Sequence, residues 1–180
     1  YTLTDNIMSS ADGIVVERDN IIIDGNGYTV QGVEAYRGIA LTERSNETIK
    51  NTRIMGFQYA IWLSLSSGNS ISGNNITNNW GGIDLSDSNH NSIVGNNITN
   101  NWAFACGIGL QSSNYNSIVG NNVVNNYGGI SVDFSSNNSI SGNPITANLD
   151  DGILLNSSSN NSISGNNITA NNDDGIDLIY

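Results

Sequence analysis

The sequence predicts an all-β solenoid: a parallel β-helix of about seven coils, each of 22–25 residues. Three observations predict it. A nine-residue unit recurs as NSISGNNIT at 69–77, NSIVGNNIT at 91–99 and NSISGNNIT at 161–169, with looser copies starting at Asn116 and Asn138. Each copy is followed by a Gly-Ile pair, at Gly82, Gly107, Gly129, Gly152 and Gly175. From Ile39 onward apolar residues then line up at a spacing of 22 or 23, with one step of 25. A fixed period of this size marks stacked structural repeats.

The chain of 180 residues reads as one domain, with 1–12 as an N-terminal lead-in strand and 13–180 as stacked coils whose C-terminal end is open. Ile14 and Val16 begin a double column that continues through Ile39/Leu41, Ile61/Leu63, Ile83/Leu85, Ile108/Leu110, Ile130/Val132, Ile153/Leu155 and Ile176/Leu178. A second column runs Ile49, Ile71, Ile93, Ile118, Ile140, Ile163, and a third runs Ile54, Ile76, Ile98, Val123, Ile145, Ile168. The apolar clusters are two or three residues long, β-branched, and alternate with polar residues, as in Ile83-Asp84-Leu85. No stretch keeps a helical period over ten residues. Three short strands per coil satisfy the pattern, with coils ~4.8 Å apart and like residues stacked inside.

Asparagine is unusually abundant, at 33 residues, and it is ordered. Three columns repeat: Asn69/91/116/138/161, Asn74/96/121/143/166 and Asn79/101/126/148/171. Asn tolerates a left-handed backbone at a sharp corner, and its amide can bond to the amide one coil away as a ladder. Serine repeats at Ser66, Ser88, Ser113, Ser135 and Ser158, read as inward at a narrow bend.

Charge narrows the partners. The net charge is −11, and all five basic residues (Arg18, Arg37, Arg44, Lys50, Arg53) precede Ile54. No basic stripe is left to meet a phosphate backbone, so nucleic acid is not expected as a partner. No apolar run approaches ~20 residues, so no membrane insertion is expected. The single cysteine, Cys106, excludes an internal disulfide framework.

The repeat NSISGNNIT…GI.L..S, preceded by NIIIDGNGYTVQG at 20–32, resembles the NosD-like, carbohydrate-binding and sugar-hydrolase class of β-helix proteins of archaeal and bacterial surfaces. The resemblance spans nearly the whole chain. It implies a right-handed helix, in line with the general rule for parallel crossovers. It also implies an extracellular or cell-surface location. It includes enzymes, copper-site maturation proteins and proteins without known activity, so function must be argued from sites. One histidine, one cysteine and the distant Met8 and Met55 do not make a soft-ligand cluster for copper.

Candidate sites follow from residues that repeat with chemistry. Asp150-Asp151 and Asp173-Asp174 occupy one corner of successive coils, with like charges roughly 5 Å apart. That corner reads as a solvated turn, a calcium site, or a carboxylate pair of a glycoside hydrolase. Aromatics gather near the Gly-Ile corner: Tyr59, Trp62, Trp80, Trp102, Phe104 and Tyr127. Trp62 takes the outward slot that Asp84 holds one coil on. Such residues suit stacking on sugars, contact with a protein, or shielding of a thin core. No other cofactor is expected. No acid, base and electrophile converge in the sequence, so no catalytic residue is assigned and enzymatic activity is not expected.

Glycosylation triplets begin at Asn46, Asn75, Asn97, Asn137, Asn156, Asn160 and Asn167. The repeat runs to Tyr180, and Tyr1 already reads as strand, so neither end shows a polar cap. Uncapped coils predict a secreted or surface structural protein that stacks head to tail on copies of itself, or on flanking domains. Its alternatives are a carbohydrate-binding module or a hydrolase or lyase fragment using the Asp corner.

Overall fold

A computed structural model describes residues 1–103 and 105–180. The described residues form three parallel sheets wound as one solenoid. Each full coil contributes one strand to each sheet. The Ser-Ile sheet stacks Ile22–Asp24, Thr48–Lys50, Ser70–Ser72 and their successors to Ser162–Ser164. The Asn-Ile-Thr sheet runs from Ile7–Met8 to Asn167–Thr169. The third sheet has strands up to six residues long, such as Arg37–Thr42, Tyr59–Ser64, Gly81–Ser86, Cys106–Gln111 and Gly128–Asp133. The lead-in segment is a two-residue strand plus a bridge from Thr2 to Asp24, rather than one strand.

Register confirms the columns. Ile76 pairs with Ile98, Ile93 with Ile118, and Ile83 and Leu85 with Ile108 and Leu110. These residues are buried and form one continuous core cluster. Parallel stacking places identical β-branched side chains over one another, which fills a narrow interior without voids.

The three asparagine columns are buried ladders. Asn96 donates both its backbone N–H (2.9 Å) and its Nδ2 (2.9 Å) to Oδ1 of Asn121. Asn121 repeats the pattern onto Asn143 and also donates Nδ2 to the Ile93 carbonyl at 2.8 Å. The serines do likewise with one atom: Ser88 N–H donates to Ser113 Oγ and Ser113 N–H to Ser135 Oγ. Each corner therefore closes its backbone groups inside the protein, as burial requires.

The ladder asparagines do not themselves adopt the left-handed backbone. Their neighbours do: Gly73, Gly95, Gly120, Asn78, Asn100 and Asn125. A residue in that conformation turns the chain so that the next side chain points inward to the ladder. The Gly-Ile pair has a separate cause. A Cβ on Gly82 or Gly129 would lie 2.1 Å from a carbonyl oxygen of the next coil, so the coils close only without one.

The ladder starts imperfectly. Glu47, 1% exposed, stands where an asparagine would, and neither of its carboxylate oxygens has a hydrogen-bond partner. Burial pushes its carboxyl above the usual range, which favours the neutral form there.

Candidate functional site

Side chains on the long-strand sheet alternate between core and solvent. The inward slots are nearly constant. The outward slot between them is not: in register it reads Ala40, Trp62, Asp84, Gly109, Ser131, Leu154 and Asp177. This variation carves the surface. Gly109 leaves a gap between Asp84 and Ser131, and a Cβ there would sit 2.9 Å from Asp84 Oδ1. The gap opens a hollow of about 330 Å³ lined by Tyr59, Asp84, Cys106, Gln111, Ser131, Asp133 and Phe134. A second hollow, lined by Tyr36, Arg37, Gln58, Tyr59 and Trp62, shares Tyr59 with the first. Together they make a groove across several coils of one face.

The groove is polar along its floor and aromatic at its margins. Ser131 Oγ donates to Asp133 Oδ2 at 2.7 Å, and Asn156 Nδ2 donates to Asp133 Oδ1 at 3.1 Å, which fixes that carboxylate. Burial pushes the Asp84 carboxyl up to about 6. The Tyr59 hydroxyl is raised by burial, then by Asp84 and Cys106. Cys106 is pushed up to about 12 by burial first, then by Asp133 and Asp150, so its thiol stays protonated and unreactive. At the far margin Arg37 clamps Asp12 through two bonds, 3.1 and 2.7 Å, and lies 4.6 Å over the Trp62 ring.

Two aromatics at the margins sit on left-handed backbone, Tyr36 (φ 63) and Phe134 (φ 49). Both are more than half exposed. For Phe134 this belongs to the solenoid corner, because Glu43, Leu65, Asp87, Ser112 and Ser157 adopt the same conformation in other coils.

The sequence-predicted sites divide. Tyr59, Trp62 and Asp84 meet in the groove. Trp80 and Trp102 are exposed on adjacent coils and Tyr127 is half-buried, all three on the corner before the long strands. Phe104 lies outside the described residues. The Asp corner forms: Asp150, Asp151 and Asp173 each bring an oxygen within 4.8 Å of the others, as do Asp151, Asp174 and Asp177. Oxygen sets of this kind suit a hard cation. Burial raises the Asp151 carboxyl, and the Asp174 N–H donates to it at 3.0 Å. Among the glycosylation triplets, Asn46, Asn97, Asn137, Asn160 and Asn167 are exposed, while Asn75 and Asn156 are half-buried. Gly109, Gln111, Ser131, Asp133, Arg37, Tyr36 and Phe134 were not singled out from sequence. The irregular outward slot was the signal that could have found the first of them.

The sequence matches the family described as periplasmic copper-binding protein (NosD), over residues 1–128 and 105–179. No curated protein matches. Solved structures of the periplasmic alginate epimerase AlgG superpose with a TM-score of 0.75 at 20% identity, covering 94% of this chain and 49% of that one. A point mutant of AlgG gives 0.74 at 20% identity, over 94% and 48%. The chain thus spans about half the length of these proteins, and at such identity the likeness is one of fold.

The donors for copper do not assemble. Cys106 lines the groove with its thiol held protonated, whereas His90 stacks on Tyr115 at an outer corner, ring centroids 5.1 Å apart. Met8 and Met55 lie two coils apart, each in register with Gln31. Among the described residues, the converging sets of three or more His, Cys, Asp or Glu are all aspartate. Carboxylates alone are a poor match for copper, which selects imidazole and sulfur.

Proposed function

The chain belongs to the NosD family, and on that premise we propose that it is an envelope β-helix protein whose long-strand face binds a glycan chain. The periplasmic description of the family and of AlgG supports an envelope location. The observation that carries the binding reading is the gap at Gly109. Asp84, Gln111, Ser131 and Asp133 line the floor of a groove margined by Trp62, Tyr59, Tyr36 and Phe134. Sugars are bound by such pairing: hydroxyls meet carboxylates and amides, and the apolar faces of the rings meet aromatics. The Asp corner of Asp150, Asp151, Asp173 and Asp174 lines neither hollow, so the groove does not support the hydrolase reading.

The test is a glycan array probed with the wild-type chain and two variants. Trp62→Ala removes a stacking platform, and Gly109→Val fills the gap. We expect captured glycans for the wild type and about a fivefold or greater loss in both variants, since a sugar–aromatic contact contributes about 1 kcal/mol and a filled gap excludes the ring. An empty array, or signal unchanged in both variants, would sink the proposal.

A second reading is favoured by the rims. At the first coil an open hollow of about 580 Å³ is lined by Leu3, Ile7, Ile14, Val16, Ile21 and Ile23. At the last coil Ile176, Leu178 and Ile179 are 45%, 60% and 47% exposed. Another copy stacked head to tail would cover both. Apolar matching supports this and charge does not. Residues 1–53 hold five basic and eight acidic side chains, a net charge of −3. Arg37, Arg44 and Lys50 are already paired with Asp12, Asp19 and Asp24. The N-terminal coils are therefore not a positive pole that could meet the acidic C-terminal end. Fibres one solenoid wide in electron microscopy, abolished by Leu178→Asp, are the expected result. Monomers that resist association at high concentration would end this reading.

A further inference from the structure

From the charges in the groove we infer that its ligand is a neutral glycan rather than a polyuronate. This rests on the binding reading above and adds the substrate class to it. Two carboxylates, Asp84 and Asp133, face the first hollow. Asp133 is held in place by Ser131 and Asn156, neither of which carries a compensating charge. Among the described residues lining the two hollows, Arg37 is the one cation. Its charge is already paired: Asp12 takes two of its five N–H groups, and its face lies on Trp62. It neutralises an acid of its own chain and stiffens the Trp62 platform.

A uronate residue entering this groove would bring a third carboxylate to a site whose single cation, among the described lining residues, is already paired with Asp12. Like charges in a partly buried site repel more than in water, and the net charge of −11 adds a repulsive field at longer range. A neutral sugar meets the reverse situation. Its hydroxyls donate to the carboxylates of Asp84 and Asp133, and Gln111 supplies both a donor and an acceptor. Hydrogen bonds to a charged acceptor are the stronger kind. The groove therefore discriminates by repelling one class as well as by attracting the other.

The experiment is affinity electrophoresis of the full chain at low ionic strength. Gels contain a neutral polysaccharide (xylan, galactomannan or a mixed-linkage β-glucan) or a polyuronate (alginate or polygalacturonate). The expected result is retardation by at least one neutral polymer, lost in Trp62→Ala, with at least tenfold weaker retardation by both polyuronates. In Asp84→Asn/Asp133→Asn, the gap between the two classes should narrow. Raising salt to 0.5 M should also narrow it, because the repulsion is screened. Equal or stronger retardation by a polyuronate would overturn the neutral-glycan inference and leave the groove reading standing. No retardation by any polymer would instead overturn the groove reading itself.

Discussion

Replacing Asn121 with alanine is expected to destabilise the protein by about 3–5 kcal/mol, the range for a buried site that loses both packing and hydrogen bonds. Asn121 is fully buried in the middle of its ladder. Its Oδ1 accepts the backbone N–H and the Nδ2 of Asn96, both at 2.9 Å. Its Nδ2 donates to the Ile93 carbonyl and to Asn143 Oδ1. Alanine supplies none of these. The Asn96 N–H is then left buried without an acceptor, an omission worth about 1–3 kcal/mol by itself. The neighbouring residue provides the comparison. Asn122 is exposed and donates to Asn97 Oδ1 on the outer surface. Asn122→Ala should cost no more than about 0.5 kcal/mol, as for other surface substitutions. Urea unfolding of the two variants checks this. A similar midpoint for both would mean that the ladder contributes little.

The contrast between Asn121 and Asn122 also explains how much was legible in advance. Adjacent asparagines in the repeat have opposite fates, and their period tells them apart from a random Asn-rich tract. A solenoid writes its fold into the sequence because each coil must present the same residue to the coil above. Ile93 over Ile118 and Asn96 over Asn121 are constrained by identity, so both columns could be aligned by eye. The groove obeys no such constraint. It is made where the coils differ, at Trp62, Asp84, Gly109 and Ser131. Trp62 and Asp84 stood out because their chemistry is conspicuous. Gly109 did not, since it acts by what it leaves empty. Tyr36 and Phe134 were also illegible, because only the backbone angle reveals that aromatics occupy left-handed corners. The same limit applied to charge. The position of the five basic residues was legible but their pairing was not: Asp12, Asp19 and Asp24 cancel three of them.

Asp84 links stability to the groove, and its titration gives the second large effect. An unfolded chain holds this carboxyl near 3.8, and burial in the folded protein raises it to about 6. Below pH 3.8 both states carry the proton, and the folded protein bears no charge cost at this site. Between these values the folded protein keeps a proton that the unfolded chain releases, so stability falls as pH rises. Above pH 6 the whole cost is present, about 3 kcal/mol for a shift of this size. Asp84→Asn cannot ionise and keeps the shape. It should therefore be more stable than the wild type by about 2–3 kcal/mol at pH 8 and nearly equal to it at pH 4. Melting curves at both pH values test the sign. A gain of the same size at pH 4 would assign the effect to packing rather than charge. The same substitution removes a charged acceptor from the groove, so neutral-sugar binding should weaken while the fold strengthens. That opposition is what a binding residue held in an unfavourable site produces, and a purely structural carboxylate would move stability alone.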